Sequence, residues 1–89
     1  MSLYKKYYVY LIISRVNSKI ISYVGFTENV QKRLFLHNNN KGAKFTRGKK
    51  WKIIYIKKYR SKSVAMKNEY LLKKDIKKRN LIKLKFLQK

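Results

Sequence analysis

A mixed α/β fold of the α+β kind follows from three observations. It has a three-stranded antiparallel sheet flanked by helices, in the order β-β-α-β-α-α. First, Tyr8 to Ile13 is β-branched and aromatic with no polar face, as in a strand covered on both sides. Second, only the polar stretch Ser14 to Lys19, with Asn17-Ser18 as its turn, separates it from another such run, Ile20 to Phe26. So short a connection forces an antiparallel hairpin. Third, the 89 residues contain no proline, so helical and strand periods run uninterrupted.

The remaining elements follow in order. Asn29 to Asn38 has helical spacing, with Thr27 or Asn29 as its cap. Asn38-Asn39-Asn40-Lys41-Gly42 ends it, and a basic loop runs on to Lys50. Trp51 to Tyr59 is the third strand. Ser61 or Ser63 caps a helix through about Lys74, and a final basic helix covers Lys77 to Lys85. No repeat or linker interrupts the chain, and residues 1–89 form a single domain.

Charge narrows the function. The sequence has 25 Lys+Arg against 3 Asp+Glu, a formal charge of +22. Repulsion on that scale works against the compact state unless anions screen it. A polyphosphate partner, DNA or RNA, is the first expectation. Disorder is not expected, because 45% of the residues are hydrophobic and 15% aromatic. Lys, Ile, Asn and Tyr all have AT-rich codons, so part of the lysine excess is open to genomic drift. Glu is also AT-tolerant yet occurs only twice, so drift does not account for the missing acids.

The absence of cysteine excludes disulfides, zinc ribbons and thiol catalysis. A single histidine excludes a multi-histidine metal cage. The opening run is too short and too rich in tyrosine for a signal peptide, and no other run reaches the roughly 18 apolar residues of a membrane span. A soluble, intracellular protein is expected, cytoplasmic or nuclear/nucleoid-associated, without a membrane partner.

Five residues stand out. On a helical wheel Val30, Arg33, Leu34 and His37 share one ~100° arc. Val30 and Leu34 must face the sheet, which draws Arg33 and His37 to the edge of the buried side, a costly place for a guanidinium and an imidazole. In the hairpin, a turn centred between Val16 and Asn17 sets Tyr10 opposite Tyr23, projecting from the same face. Glu69 borders the apolar arc formed by Val64, Ala65, Leu71, Leu72 and Ile76, away from Lys67, Lys73, Lys74 and Lys77. Of the other two acids, Glu28 favours the dipole at the first helix's start, and Asp75 falls near a bend or the next cap.

Each residue also has an ordinary reading. Arg33 can snorkel over the rim, His37 can be a satisfied histidine at the core edge, and two strand tyrosines can be a packing pair. In order along the chain, however, they resemble a known family. Tyr8-Val9-Tyr10, Tyr23-Val24-Gly25, Arg33, His37 and Glu69 are similar to the motifs of the GIY-YIG nuclease superfamily, with Tyr8 in place of Gly and Val24 in place of Ile. The small stand-alone subgroup related to the Slx1-type nuclease domain is the nearest in pattern. Its Gly-Ala…Thr stretch corresponds to Gly42-Ala43-Lys44-Phe45-Thr46-Arg47, with Trp51 entering the third strand. Its Ala-Leu-Arg…Glu helix corresponds to Ser63 through Glu69. The resemblance spans about Tyr7 to Lys83. The chain departs from it at Phe26, where several relatives carry lysine, and in lacking a placed late asparagine, Asn80 being the one candidate.

The resemblance implies a metal-dependent endonuclease acting on DNA, single-stranded or branched forms included, in repair, recombination or processing. Tyr10, Tyr23, Arg33, His37 and Glu69 would be catalytic. Glu69 would hold Mg²⁺ (or Mn²⁺), since one carboxylate suits an ion that keeps most of its waters. Arg33 would clamp the phosphate. Family precedent implies a tyrosine as base. Tyr23, oriented or relayed by His37, is one assignment and His37 itself, with an ordinary pKa of ~6.5, is the other. Tyr10 would complete the hydrogen-bond frame.

Lys41, Lys44, Arg47, Lys49 and Lys50 would track nucleic acid beside the site. The basic stretch Lys73, Lys74, Lys77, Lys78, Arg79, Lys83, Lys85 and Lys89 would extend the footprint or serve only solubility. A protein partner could supply further specificity. The rival function is a non-catalytic nucleic-acid-binding module, either a degenerate nuclease or a ribosome-associated protein.

Overall fold

The structure is a computed structural model that describes residues 5–88. The order is β1 (Tyr7–Val16), β2 (Lys19–Thr27), α1 (Val30–Asn38), a single 3-10 turn (Lys44–Thr46), β3 (Lys52–Tyr59), α2 (Lys62–Lys74) and α3 (Ile76–Leu87). The sheet order is β2-β1-β3, antiparallel throughout. This is the predicted α+β architecture. Lys89 lies outside the described residues. Among those residues, no helix is long and apolar enough to cross a membrane.

β1 is the central strand and explains its own composition. Val9 through Ser14 are all buried, because both faces of the strand are covered. On one side Val9, Leu11 and Val24 pack with Ala65 and Leu72 of α2, joined at the margin by Ile82 of α3. Each Val or Leu fully buried there contributes about 1.5–3 kcal/mol. On the other side Tyr10 and Ile12 pack with Trp51, Leu34 and Tyr23. A bulge lets β3 serve both faces. Its register against β1 shifts between Leu11 and Ile12, so that Ile53 faces the Tyr10 side while Ile54 and Tyr55 both pack on the other.

The caps resolve the expected alternatives. Asn29 caps α1, its side chain accepting from the Lys32 amide at 3.0 Å, and Thr27 Oγ1 accepts from the Asn29 amide. Ser61 caps α2. Asp75 ends α2 and starts α3, accepting from the Lys78 amide at 3.0 Å, which is the cap expected for it. Glu28 is exposed and pairs with Lys5.

The hairpin register differs from the expected one. Val16 pairs with Lys19, leaving Asn17 and Ser18 as a two-residue turn with φ of 49° and 68°. Left-handed backbone at both positions is the signature of a type I′ turn, whose twist matches the strands. Asn17-Ser18 is the expected turn, and its centre lies one residue beyond the point between Val16 and Asn17 that would pair Tyr10 with Tyr23. Tyr10 faces Gly25 and Tyr23 faces Ile12. The two tyrosines are diagonal neighbours rather than partners, and still project from one face because strand parity is kept.

Candidate active site

Gly25 makes the first contact of the site possible. A Cβ on it would overlap the Tyr10 hydroxyl, so the bare strand gives the phenol ring room to lie across β2. The Tyr10 hydroxyl reaches His37 Nε2 at 2.8 Å. His37 was expected at the edge of α1's buried side; it is instead completely buried, at 0% exposure. The chain folding back after α1 seals it in.

That return is specified residue by residue. Asn40 adopts a left-handed conformation (φ 62°), and the Lys41 amide bonds back to the Leu36 carbonyl at 2.9 Å, closing α1 with a Schellman-type motif. Gly42 then passes so close to the imidazole that a Cβ would overlap His37 Nδ1. The 3-10 turn follows, placing Thr46, also fully buried, with Oγ1 at 2.9 Å from His37 Nδ1. Thr46 Oγ1 donates to the Ala43 carbonyl at 2.8 Å, and the Thr46 carbonyl accepts from Trp51 Nε1 at 2.9 Å. Asn38 ties α1 to the start of β3, its Oδ1 accepting from the Trp51 amide at 2.6 Å and its Nδ2 donating to the Trp51 carbonyl.

Proton directions in this chain follow from what each group can do. Thr46 Oγ1 donates to the Ala43 carbonyl, so it accepts from His37, whose proton sits on Nδ1. Nε2 is then the acceptor, and the Tyr10 hydroxyl donates to it. Burial pushes the Tyr10 phenol up to about 12, with Arg33 opposing the rise and Tyr23 and Glu69 adding to it. Burial, then the Arg33 charge, lowers the pKa of His37. Both groups are held neutral at pH 7. With both ring nitrogens engaged and no exposed surface, His37 has no free nitrogen to offer a water molecule.

Tyr23 is partly exposed. Its ring packs edge-on against His37, with centroids 5.2 Å apart, and also contacts Trp51 and Phe45. His37 is hydrogen-bonded to Tyr10, so the imidazole holds Tyr23 by ring packing. Arg33 is half-buried and also lines a cavity of about 330 Å³ with Thr27, Glu28, Asn29, Lys32 and Leu36. Glu69 lies near enough for its charge to act on Tyr10. Its side chain is 18% exposed, and Oε1 pairs with Lys73 one turn on at 3.3 Å. The expected separation of Glu69 from the lysines on α2 is thus incomplete.

Tyr10, Tyr23 and His37 are in direct contact on one face of the sheet, with Arg33 on the same helix as His37. Glu69 is carried by α2, which packs on the other face, and reaches the group through its charge on Tyr10. Among the described residues no three His, Cys, Asp or Glu side chains cluster as a metal cage. Glu69 is a single hard oxygen donor, partly exposed and with a movable lysine as its ion pair, which fits a largely hydrated Mg²⁺. Asn80 is exposed on α3, beside Lys77, Leu81 and Leu84.

The GIY-YIG catalytic domain model matches residues 6–83. The chain belongs to the GIY-YIG family. A GIY-YIG domain is a nuclease domain, and its substrate is nucleic acid. The chain is 41% identical over 70 residues to a UPF0213 protein of Oceanobacillus iheyensis, covering 78% of each. It is 41% identical over 69 residues to one from Staphylococcus haemolyticus, covering 76% of this chain and 80% of that one. Against one from Streptococcus pneumoniae serotype 4 the figures are 43% over 70 residues, 78% and 68%. No solved structure matches the chain.

The sequence placed Gly25, Gly42 and Thr46 within motif stretches and Asn38 at a helix end, but did not show what these four do in this GIY-YIG site. A glycine at a strand position and another after a helix end were the available signals. Thr46 and Asn38 act through contacts that exist only once the basic loop folds back.

Proposed function

We propose that this protein is a Mg²⁺-dependent endonuclease that hydrolyses DNA phosphodiester bonds, selecting its substrate by strand structure. The observation that carries the reading is the contact of Tyr10, His37 and Tyr23 on one face of a GIY-YIG domain, and the charges of Arg33 and Glu69 acting on Tyr10 support it. The surrounding charge supports it. Ion pairs among the described residues are Lys5–Glu28 and Lys73–Glu69, so nearly all the cations lack a carboxylate partner and are free to meet phosphate.

Hydrolysis needs a base for the attacking water, charge stabilisation on the phosphoryl oxygens and assistance to the leaving oxygen. Tyr23 is the base in this scheme, because it alone of the Tyr10–His37–Tyr23 group has open surface. Tyr10 and His37 are positioning residues. Their hydrogen bond fixes the floor on which Tyr23 rests and keeps Arg33 beside the scissile phosphate. Arg33 donates to the phosphoryl oxygens, where a guanidinium offers two parallel hydrogen bonds. Glu69 would hold Mg²⁺, which when bound supplies Lewis-acid stabilisation of the phosphate and leaving group. Lys41, Lys44, Arg47, Lys49 and Lys50 track the backbone next to the site.

The test uses labelled single-stranded, duplex and branched DNA, incubated with Mg²⁺ or EDTA, for the native protein and Glu69→Gln. Mg²⁺-dependent cleavage that Glu69→Gln abolishes is expected. Binding without cleavage of any substrate would replace this reading with a non-catalytic binding module. Cleavage undiminished in Glu69→Gln would remove the metal assignment.

A further inference from the structure

Phe45 is 50% exposed, yet it sits where an exposed apolar ring has the least reason to be, in a loop of lysines and arginine. Its placement is fixed. The 3-10 turn that carries it is closed by the Thr46 amide bonding to the Ala43 carbonyl at 3.0 Å, and Thr46 is bonded to His37. The ring lies nearly parallel to Tyr23, with an interplanar angle of 20° and centroids 6.2 Å apart, and Trp51 is tilted against it at 6.1 Å. Lys49 wraps the same turn, donating to the Phe45 carbonyl at 2.9 Å, with its ammonium 5.3 Å from the ring centroid. Phe45 thus extends the aromatic group of Tyr23 and Trp51 out to solvent, flanked by Lys44, Arg47 and Lys49.

We infer that Phe45 is a stacking platform for an unpaired nucleobase next to the scissile phosphate. The inference rests on the nuclease reading above and sharpens it to substrates with at least one unpaired base beside the cut. Its support is geometric and chemical. An aromatic face held rigidly between cations is the arrangement that binds single strands, with the cations on the backbone and the π face on a base. The same ring contributes little to a fully paired duplex, whose bases are already stacked on one another.

Binding is read by fluorescence anisotropy in EDTA, so that cleavage plays no part. The probes are a labelled single-stranded DNA, the same strand with consecutive abasic sites, and a blunt duplex. Phe45→Ala is expected to weaken binding of the base-bearing strand by roughly ten- to a hundredfold, the range that base–aromatic stacking supplies. Binding of the abasic strand and the duplex is expected to stay unchanged. Phe45→Leu preserves the apolar contact with Tyr23 and must behave like Phe45→Ala, whereas Phe45→Trp must retain affinity and quench a 2-aminopurine placed in the strand. Equal weakening on all three probes, or none on the base-bearing strand, overturns the platform. Base-specific loss in a protein that cleaves nothing would retain the platform and remove the nuclease reading. Cleavage with no base-specific loss would do the reverse.

Discussion

Thr46 sets the tautomer of His37. Its hydroxyl proton is committed to the Ala43 carbonyl, so at 2.9 Å from Nδ1 it accepts, and the imidazole carries its proton on that nitrogen. Nε2 is left as the acceptor that orients Tyr10. A loop threonine thereby governs a strand tyrosine without touching it.

Replacing Thr46 with Val keeps the shape and removes both hydrogen bonds. A buried nitrogen left unsatisfied costs about 1–3 kcal/mol, so urea denaturation should show that loss. Nitrogen-15 shifts of the His37 ring should show mixed tautomers. Thr46→Ser should keep a single tautomer and most of the stability.

The pKa shifts give stability an acid limb and an alkaline limb. His37 is depressed below 6.5 by burial and then Arg33, so its contribution is present above pH 6.5 and is lost as pH falls through the lower folded value. Tyr10 is raised from 10.0 to about 12. Its contribution is present below pH 10 and is lost as pH rises towards 12. Thermal denaturation across this range should show both limbs. His37→Gln should flatten the acid one.

Two glycines are predicted to be intolerant. Gly25→Ala drives a methyl into the Tyr10 hydroxyl and Gly42→Ala drives one into His37 Nδ1. Overpacking of this kind costs about 1–3 kcal/mol. Because it displaces the Tyr10–His37 pair, cleavage should fall further than stability explains. Gly48, at φ 73° with open space around its α-carbon, should lose stability on Gly48→Ala through backbone strain and leave that pair undisturbed. Cleavage assays and melting curves on the three variants check this.

The β-turn offers a gain. Ser18 holds φ 68° with a side chain attached, a conformation costing roughly 1–2 kcal/mol. Ser18→Gly relieves it but adds freedom to the unfolded chain, at about 0.4–1 kcal/mol. A net gain of about 0.5–1 kcal/mol is expected, a rise of roughly 2–8 °C in Tm, with cleavage unchanged.

Removing loop charge should alter salt dependence in an uneven way. Lys44→Gln and Arg47→Gln should each lower the slope of log K against log salt by about 0.7–0.9. Lys49→Gln should also loosen the turn, because its ammonium bonds to the Phe45 and Arg47 carbonyls. Limited proteolysis of the loop separates the two effects.

What the sequence made legible was whatever depends on periodicity. The buried β1, the capped helices and the face shared by Tyr10 and Tyr23 follow from spacing alone. The turn was legible in Asn17-Ser18, but the register was missed because a centre placed between Val16 and Asn17, one residue too early, shifts every pair by two. The full burial of His37 was missed for a different reason: a helical wheel sees one helix, and the lid over His37 is the loop that follows. Thr46, eight residues beyond the helix, gave no local sign of its role. The GIY-YIG resemblance marked that stretch as part of a pattern, and contacts in three dimensions were needed to say why.

The two-residue hairpin tip has a consequence for how this protein can drift. Which residue shares a rung with Tyr10 is decided at the far end of the hairpin, by counting back from Asn17-Ser18. The tip is restricted to residues that tolerate left-handed backbone, Gly, Asn and Asp above all, and a strand slip of two residues would put Tyr23 opposite Tyr10 and carry Gly25 off its rung. Insertions and deletions, ordinarily cheapest at a surface turn, would here reach the Tyr10–His37 pair from the far end of the hairpin.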